Sequence, residues 1–306
     1  MTDEEERKKR RADKLIQQAL AMGNVETLKA GALAFSARAM VLATLPYRDP
    51  GDVPFFGREN GRYSLYIEPG SYIIDGKKVS LGYPYGNIPR LLLAWMTTEV
   101  VRKKSRELVF GESLTDFMSQ LGLKVTGGQE GSIRRLRMQM NRLFGAKISC
   151  TYHDKKKLSF RNIHVTTGTD FLWDPLHPGD YRKWEHHGII LGEDFFNEII
   201  ARPVPLDLRV LQAIKKSPLA LDIYAWLTYR MSYLKRETTI PWPSLRLQFG
   251  ADYTRLRAFK ENFLEQLRAV KMLYCHASFS TESERGLTLY PSRPQVLKAP
   301  KDDNLL

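Results

Sequence analysis

A short pattern occurs twice in this chain, and it constrains the fold more than any bulk property. Ala94-Trp95-Met96-Thr97 is echoed by Ala225-Trp226-Leu227-Thr228, and Phe117 to Gly122 (FMSQLG) by Leu245 to Gly250 (LRLQFG). Cys150 and Cys275 extend the echo into strand-like contexts, where each reads as a small buried apolar side chain. A pattern repeated in both halves predicts two copies of one module, and 306 residues are too many for one minimal domain.

The periodicity around each copy supplies the module. Residues 2–22 predict a helix, with Asp3 to Glu6 near its positive end. The basic run Arg7 to Arg11 that follows could touch DNA or a partner, but such a run is more often a solvated helix face and reads as one. Residues 25–45 are apolar and predict helix up to Pro46, after which Asp49-Pro50-Gly51-Asp52 and Phe55-Phe56-Gly57 mark a loop. Strands are expected at 63–67, 71–74 and 78–82, the last two joined at Asp75-Gly76. Pro89 opens a helix to about Lys104. A strand at 107–110, a helix at 113–121 opening Ser113-x-x-Asp116, a turn and a helix at 132–145 follow. Strands at 147–152 and 158–166 then flank a basic turn.

That order is the order of a winged helix, a helix-turn-helix closed by a β-hairpin wing. It returns from residue 207 onward. Helices are expected at 207–216 and 218–234, a strand at 237–240, a helix ending at Phe249, a long helix at 252–270, and strands at 271–278 and 286–290. The expected fold is therefore α+β, with two tandem winged-helix domains at 61–170 and 206–291. Residues 1–60 form an N-terminal helical extension, 171–205 an inter-domain connection and 292–306 a disordered tail. A strand at 188–192 and a helix at 193–201 fit either side of the connection.

Charge then assigns the modules a partner. The chain carries 47 Lys and Arg against 34 Asp and Glu, a net +13 that favours polyanions. It is unevenly spread: residues 131–161 hold nine Lys or Arg and one acid, Asp154. On a helical wheel, Ile133, Leu136, Met140, Leu143 and Phe144 form the core face of the 132–145 helix. Arg134, Arg135, Met138, Asn141 and Arg142 lie opposite, with Arg137 and Gln139 on the flanks. A helix of one sign repels itself unless a partner neutralises it, whereas solvated helices mix signs to gain i,i+4 pairs. Arg forks onto guanine and Asn onto adenine in a major groove. Arg134, Arg135, Arg137, Met138, Asn141 and Arg142 are thus candidate DNA-contacting residues, with Lys155, Lys156, Lys157 and Arg161 on the wing. The second long helix offers Thr254, Arg255 and Arg257, then turns acidic at Glu261 and Glu265.

Other chemistries lack their signatures. There is no GxxxxGK[ST] phosphate loop, no Gly-x-Ser-x-Gly and no HExxH. No pair of histidines flanks a single apolar residue as in rolling-circle initiators. His177, His186 and His187 have no matching thiolates or carboxylates and read as loop histidines. The expectation is a non-enzymatic protein with no cofactor and no metal. Its N-terminus has no apolar stretch of a signal peptide, and no run is long enough to span a bilayer, so a cytoplasmic location away from the membrane is expected.

The stretch Tyr83 to Cys150 resembles the RepA-type plasmid replication initiators of Gram-negative bacteria. Its most specific parts are Tyr85-Gly86-x-x-Pro89-Arg90-Leu91-Leu92-Leu93-Ala94-Trp95 and the Leu121-Gly122 then Gly127-Gly128 spacing before the Arg-rich helix. The resemblance extends over roughly 83–291. It implies a tandem winged-helix protein that binds directly repeated double-stranded sites (iterons) at a plasmid origin, helps open the duplex, and recruits host replication proteins such as the host initiator and helicase. It also implies a homodimer form that represses the protein's own gene. Within the match, 132–145 would be the first recognition helix and 252–262 the second. Two other readings are compatible with the residues: a plasmid or phage transcriptional regulator of the same architecture, and an adaptor whose winged helices bind protein.

Overall fold

A computed structural model of the chain describes residues 3–23, 25–154, 157–170, 188–250 and 253–296, without the side chains of 154, 157–162 and 168–170. The protein is α+β and divides into two compact units, Phe35–Pro203 and Met1–Ala34 with Val204–Leu306.

In the Phe35–Pro203 unit the helix Asn87–Lys103 is the central element. Leu91, Leu92, Leu93, Ala94, Met96, Thr98 and Val100 are all buried, so it is enclosed on most sides rather than along one stripe. Helices Ser132–Gly145 and Glu193–Ala201 pack against it. The strands Phe56–Asn60, Tyr63–Glu68, Lys147–Asp154 and Lys157–His164 form one antiparallel sheet in that order. A second sheet runs Glu107–Val109, Gly188–Leu191, Thr166–Asp170. A separate two-stranded hairpin, Gly70–Ile74 and Lys77–Gly82, turns at Asp75 and Gly76 with φ of 49° and 73°, as the Asp-Gly pair predicts.

Several boundaries differ from expectation here. The apolar stretch read as one helix over 25–45 becomes the strand Leu33–Ala37 and the five-residue helix Arg38–Leu42. Short apolar runs satisfy both periods, and tertiary pairing decides between them. Phe56, read as loop, begins a strand whose Arg58 is buried with its guanidinium 4.4 Å from the Phe56 ring centre. The strand and helix near 188–201, which fitted either side of the connection, lie in this unit. Ile189 and Leu191 alternate inward, and Phe195 and Ile199 are fully buried, which gives the segment a core to join.

The second unit packs helices Leu208–Ile214, Pro218–Met231, Trp242–Phe249 and Leu256–Leu273 with a three-stranded sheet. That sheet runs Thr238–Pro241, Gly286–Tyr290, Ser278–Ser280, so the last of the described strands is central. The helix Asp3–Met22 packs on Leu256–Leu273 and is part of this unit. Buried Asp207 fixes the turn that follows it. Its carboxylate accepts from Thr27 Oγ1 at 2.7 Å and from Arg209 Nη2 at 2.6 Å, while Arg209 also donates to the carbonyls of Met22 and Val25. Beside it, burial drives the Tyr224 hydroxyl pKa upward.

The repeated Trp meets a Phe edge-on in each unit, although the Phe sits at a different place in its motif, first in Phe117 to Gly122 and fifth in Leu245 to Gly250. Trp95 meets Phe117 edge-on at 5.0 Å and 81°, and Trp226 meets Phe249 at 5.4 Å and 80°. Thr97 and Thr228 are both buried. The cysteine echo does not survive. Cys150 is a buried strand residue whose Sγ accepts from the Tyr63 hydroxyl at 2.8 Å, whereas Cys275 is exposed in a turn. The reason is that the preceding helix runs on to Leu273, through residues expected to be strand.

Candidate nucleic-acid interface

The helix Ser132–Gly145 is held at both ends by side chains the wheel could not identify. At its start, Ser132 and Thr126 lock the turn: Thr126 N donates to Ser132 Oγ at 2.9 Å, and Ser132 N donates to Thr126 Oγ1 at 2.9 Å. Ser132 Oγ also donates to the Lys124 carbonyl at 2.5 Å. The preceding helix Leu114–Gln120 begins as its capping pattern predicts, with Asp116 N donating to Ser113 Oγ at 3.0 Å. Trp95 Nε1 donates to Gln120 Oε1 and ties that helix to the central one.

Along the rest of the helix the segment Tyr83 to Arg90 forms a cradle. Tyr85 N donates to the buried Gln139 Oε1 at 2.9 Å. Arg142 Nη1 donates to Asp49 Oδ2 at 2.7 Å and to the Tyr83 carbonyl at 3.2 Å, and its guanidinium lies 5.1 Å from the Tyr85 ring centre. Tyr83 donates its hydroxyl to the Val53 carbonyl, and burial raises its pKa. Arg90, itself buried, donates to the carbonyls of Leu45, Pro46 and Gly86 and anchors the base of the cradle. The motif Tyr85-Gly86-x-x-Pro89-Arg90 is thus a mount for the Arg-rich helix. Its presence was legible in sequence; Asp49, Tyr83 and Gln139, which complete the mount, were not signalled by any local pattern.

This mounting corrects the expected contact face. Arg134 and Arg135 are exposed and Met138 is half-buried, but Arg137 is 3% exposed and Asn141 8%. Arg142 is engaged as described, with a side chain 16% exposed. As placed, Arg137 and Asn141 cannot reach a base edge, and Arg142 would first have to leave Asp49. The cause is that this helix is covered nearly all round in its C-terminal half. Exposure changes along the axis, from open at Arg134 to enclosed at Asn141, rather than around it. A wheel projects the axis away and so missed the gradient.

The expected wing is a hairpin of Lys147–Asp154 and Lys157–His164, with Arg161 opposite Cys150 in register. It is not a free flap: Lys147–Asp154 pairs on its other side with Tyr63–Glu68 along its length. Lys155 and Lys156 lie outside the described residues, as do the side chains of Lys157 and Arg161. In the second unit Thr254, Arg255 and Arg257 are all exposed, but the helix begins at Leu256, so Thr254 and Arg255 precede it. Arg257 pairs with Glu261 at 2.9 Å.

Among the described residues no group of His, Cys, Asp and Glu could hold a metal ion, and no helix is long and apolar enough to cross a membrane. His177, His186 and His187 lie outside the described residues.

The cradle and the helix it holds fall inside a stretch shared with known proteins. The family described as plasmid encoded RepA protein matches residues 83–243, more than half of the chain. No curated relative and no solved structure matches it. The match opens at Tyr83, the first residue of the cradle, includes all of Ser132–Gly145, and stops before Leu256–Leu273. With Tyr83 to Arg90 and the basic helix both inside that span, which covers more than half of the chain, the chain belongs to the plasmid encoded RepA protein family.

Proposed function

We propose that this protein is a replication initiator that binds repeated double-stranded sites at a plasmid origin, without enzymatic activity, through two winged-helix modules. The observation that carries the reading is the mount itself. Arg134 and Arg135 project from the first turn of a helix whose remaining length is fixed by Tyr85, Gln139, Arg142 and Asp49. Recognition helices read bases with their N-terminal residues, and a rigidly seated helix with exposed arginines at that end suits the task. Arg134 and Arg135 would contact base edges or phosphates, and Lys155, Lys156, Lys157 and Arg161 the backbone beside them.

The winged-helix reading draws its support from two places. In the second unit the strand following the Pro218–Met231 helix pairs with the last strand of the closing hairpin, the topology such a module requires. In the first unit the two helices and the hairpin follow in the right order, although Glu107–Val109 pairs with Gly188–Leu191 instead of with the hairpin. Binding to repeated sites, opening of adjacent duplex and recruitment of a host initiator or helicase rest on membership of the family and are part of the proposal, as is a dimer form.

Footprinting on the parent replicon tests it. The expected result is protection of several direct repeats beside an A·T-rich segment, lost when Arg134→Ala is combined with Arg135→Ala. A single protected inverted repeat at a promoter would instead make the protein a transcriptional regulator. Unaltered duplex affinity in the double variant would favour a protein-binding adaptor.

A further inference from the structure

The hairpin Gly70–Gly82 has no role in the reading above, and its construction is unusual for a solvated loop. It is a two-stranded sheet with no third strand on either edge among the described residues. Such a ribbon is marginal in water unless one face is packed. Its inner face is: Tyr72, Ile74, Val79 and Leu81 are half-buried. Its root is pressed onto the C-terminal end of the Ser132–Gly145 helix. A Cβ on Gly70 would lie 2.4 Å from the Gly145 carbonyl oxygen, and a Cβ on Gly145 would lie 2.6 Å from Leu81 Cδ1. No side chain fits between the two backbones, so the ribbon is set by the same helix that presents Arg134 and Arg135.

The outer face is open and chemically mixed. Ser71 pairs with Ser80 and Ile73 with Lys78, so these four share one face, and all are exposed; Ile73 is 75% exposed. Lys78 is the lysine of this face; Lys77, paired with Ile74 on the other face, is also exposed where the ribbon turns, and the hairpin holds one acid, Asp75. Hydroxyls, ammonium groups and a single aliphatic side chain form a poor protein-docking surface but match a duplex. Hydroxyls and lysines meet phosphate oxygens, and an aliphatic group meets a thymine methyl. A two-stranded ribbon is also of a width that the major groove admits.

We infer that the Gly70–Gly82 hairpin is a second DNA-contacting arm, which engages the duplex flanking the segment met by Arg134 and Arg135. The inference rests on the proposed DNA binding and adds a surface to it.

The test uses the full chain, the origin duplex and hydroxyl-radical footprinting, with salt titration. Lys77→Ala combined with Lys78→Ala should make the slope of log K against log salt shallower by about 1 to 2, since each phosphate contact contributes about 0.9 and Lys78 lies on the outer face. It should also erase protection on one flank while protection at the centre persists. Ile73→Ser, which leaves charge intact, should weaken binding severalfold with no change of slope. These positions are exposed, so the variants keep the fold, and Lys78→Glu serves as a stronger version of the same test. An unchanged slope and footprint in the lysine variants, with binding still abolished by Arg134→Ala and Arg135→Ala, overturns the arm and leaves DNA binding standing. A change in sedimentation without DNA, with footprint intact, would overturn it in favour of pairing between two copies. Absence of duplex binding by the unaltered protein would remove both readings.

Discussion

The two long helices, Ser132–Gly145 and Leu256–Leu273, occupy matching places in the repeated pattern and solve the charge problem in opposite ways. The first has no acidic residue in its 14-residue span. It keeps two arginines open at its N-terminal end and ties a third, Arg142, to Asp49 on the neighbouring loop. The second carries Glu261 and Glu265, and both are answered inside its own unit. Glu261 pairs with Arg257 one turn earlier, and Glu265 pairs with Arg11 of the helix Asp3–Met22 at 3.4 Å. Arg11 also donates to Gln266 at 2.9 Å, and Leu15 is buried nearby. The acidic rear that looked unfavourable for a DNA-binding helix is therefore the seat of the N-terminal helix. Arg134 donates to the Gln129 carbonyl at 3.3 Å, and no described acid pairs with Arg134 or Arg135. Positive charge left without an acidic partner marks a surface for an external polyanion, and charge that is paired internally marks packing.

The largest expected effect tests that contrast directly. Arg134→Ala and Arg135→Ala should each cost about 1–3 kcal/mol of duplex affinity. With Lys155, Lys156, Lys157 and Arg161 they offer six cations, which should contribute near −5 to the slope of log K against log salt, at about −0.9 per phosphate, before any contribution of the Gly70–Gly82 hairpin. Arg255→Ala with Arg257→Ala should weaken binding much less, because Arg257 already satisfies Glu261. Equal losses from both pairs, measured by fluorescence anisotropy across a salt series, would break the comparison and make the two helices equivalent readers.

How much of this was legible in sequence follows from the range of each interaction. Helix Ser132–Gly145 is legible in the sequence because its apolar period, its basic face and the Gly-rich turn before it are all local. The Asp-Gly hairpin and the Ser113 cap were local too. What could not be read were partners far along the chain. Asp49 reaches Arg142 across 93 positions, and Arg11 reaches Glu265 across 254. Residues 1–34 looked like an extension because the residues that hold them, Asp207 and Glu265, lie in the other half of the sequence. Arg137 and Asn141 were misassigned for the same reason: the elements that bury them come from outside the helix.

Arg142 gives an intermediate effect, and one that separates the sequence expectation from the structure. Arg142→Ala removes the hydrogen bonds to Asp49 and the Tyr83 carbonyl and the packing on Tyr85. A charged hydrogen bond contributes about 1.5–3 kcal/mol when sheltered, but Asp49 is 40% exposed, so about 1 kcal/mol of unfolding free energy is the expected loss. Urea denaturation measures it. Duplex affinity at temperatures well below unfolding should fall less than in Arg134→Ala. An affinity loss matching that of Arg134→Ala would mean that Arg142 leaves Asp49 for the DNA, restoring the wider contact face.

The smallest effect concerns the helix that covers the acidic rear. The Arg11–Glu265 pair is about half exposed on both sides, and pairs of this kind contribute about 0–1 kcal/mol. Arg11→Ala should therefore shift stability by less than 1 kcal/mol, and the shift should shrink further at high salt, where exposed pairs are screened. Leu15→Ala is the informative partner, since Leu15 is 6% exposed and its truncation should cost about 2–3 kcal/mol, independent of salt. If the two variants showed the reverse order, the N-terminal helix would be held by charge rather than by apolar contact. In that case the acidic residues of Leu256–Leu273 would act as an electrostatic clamp, and the two long helices would differ less than their surfaces indicate.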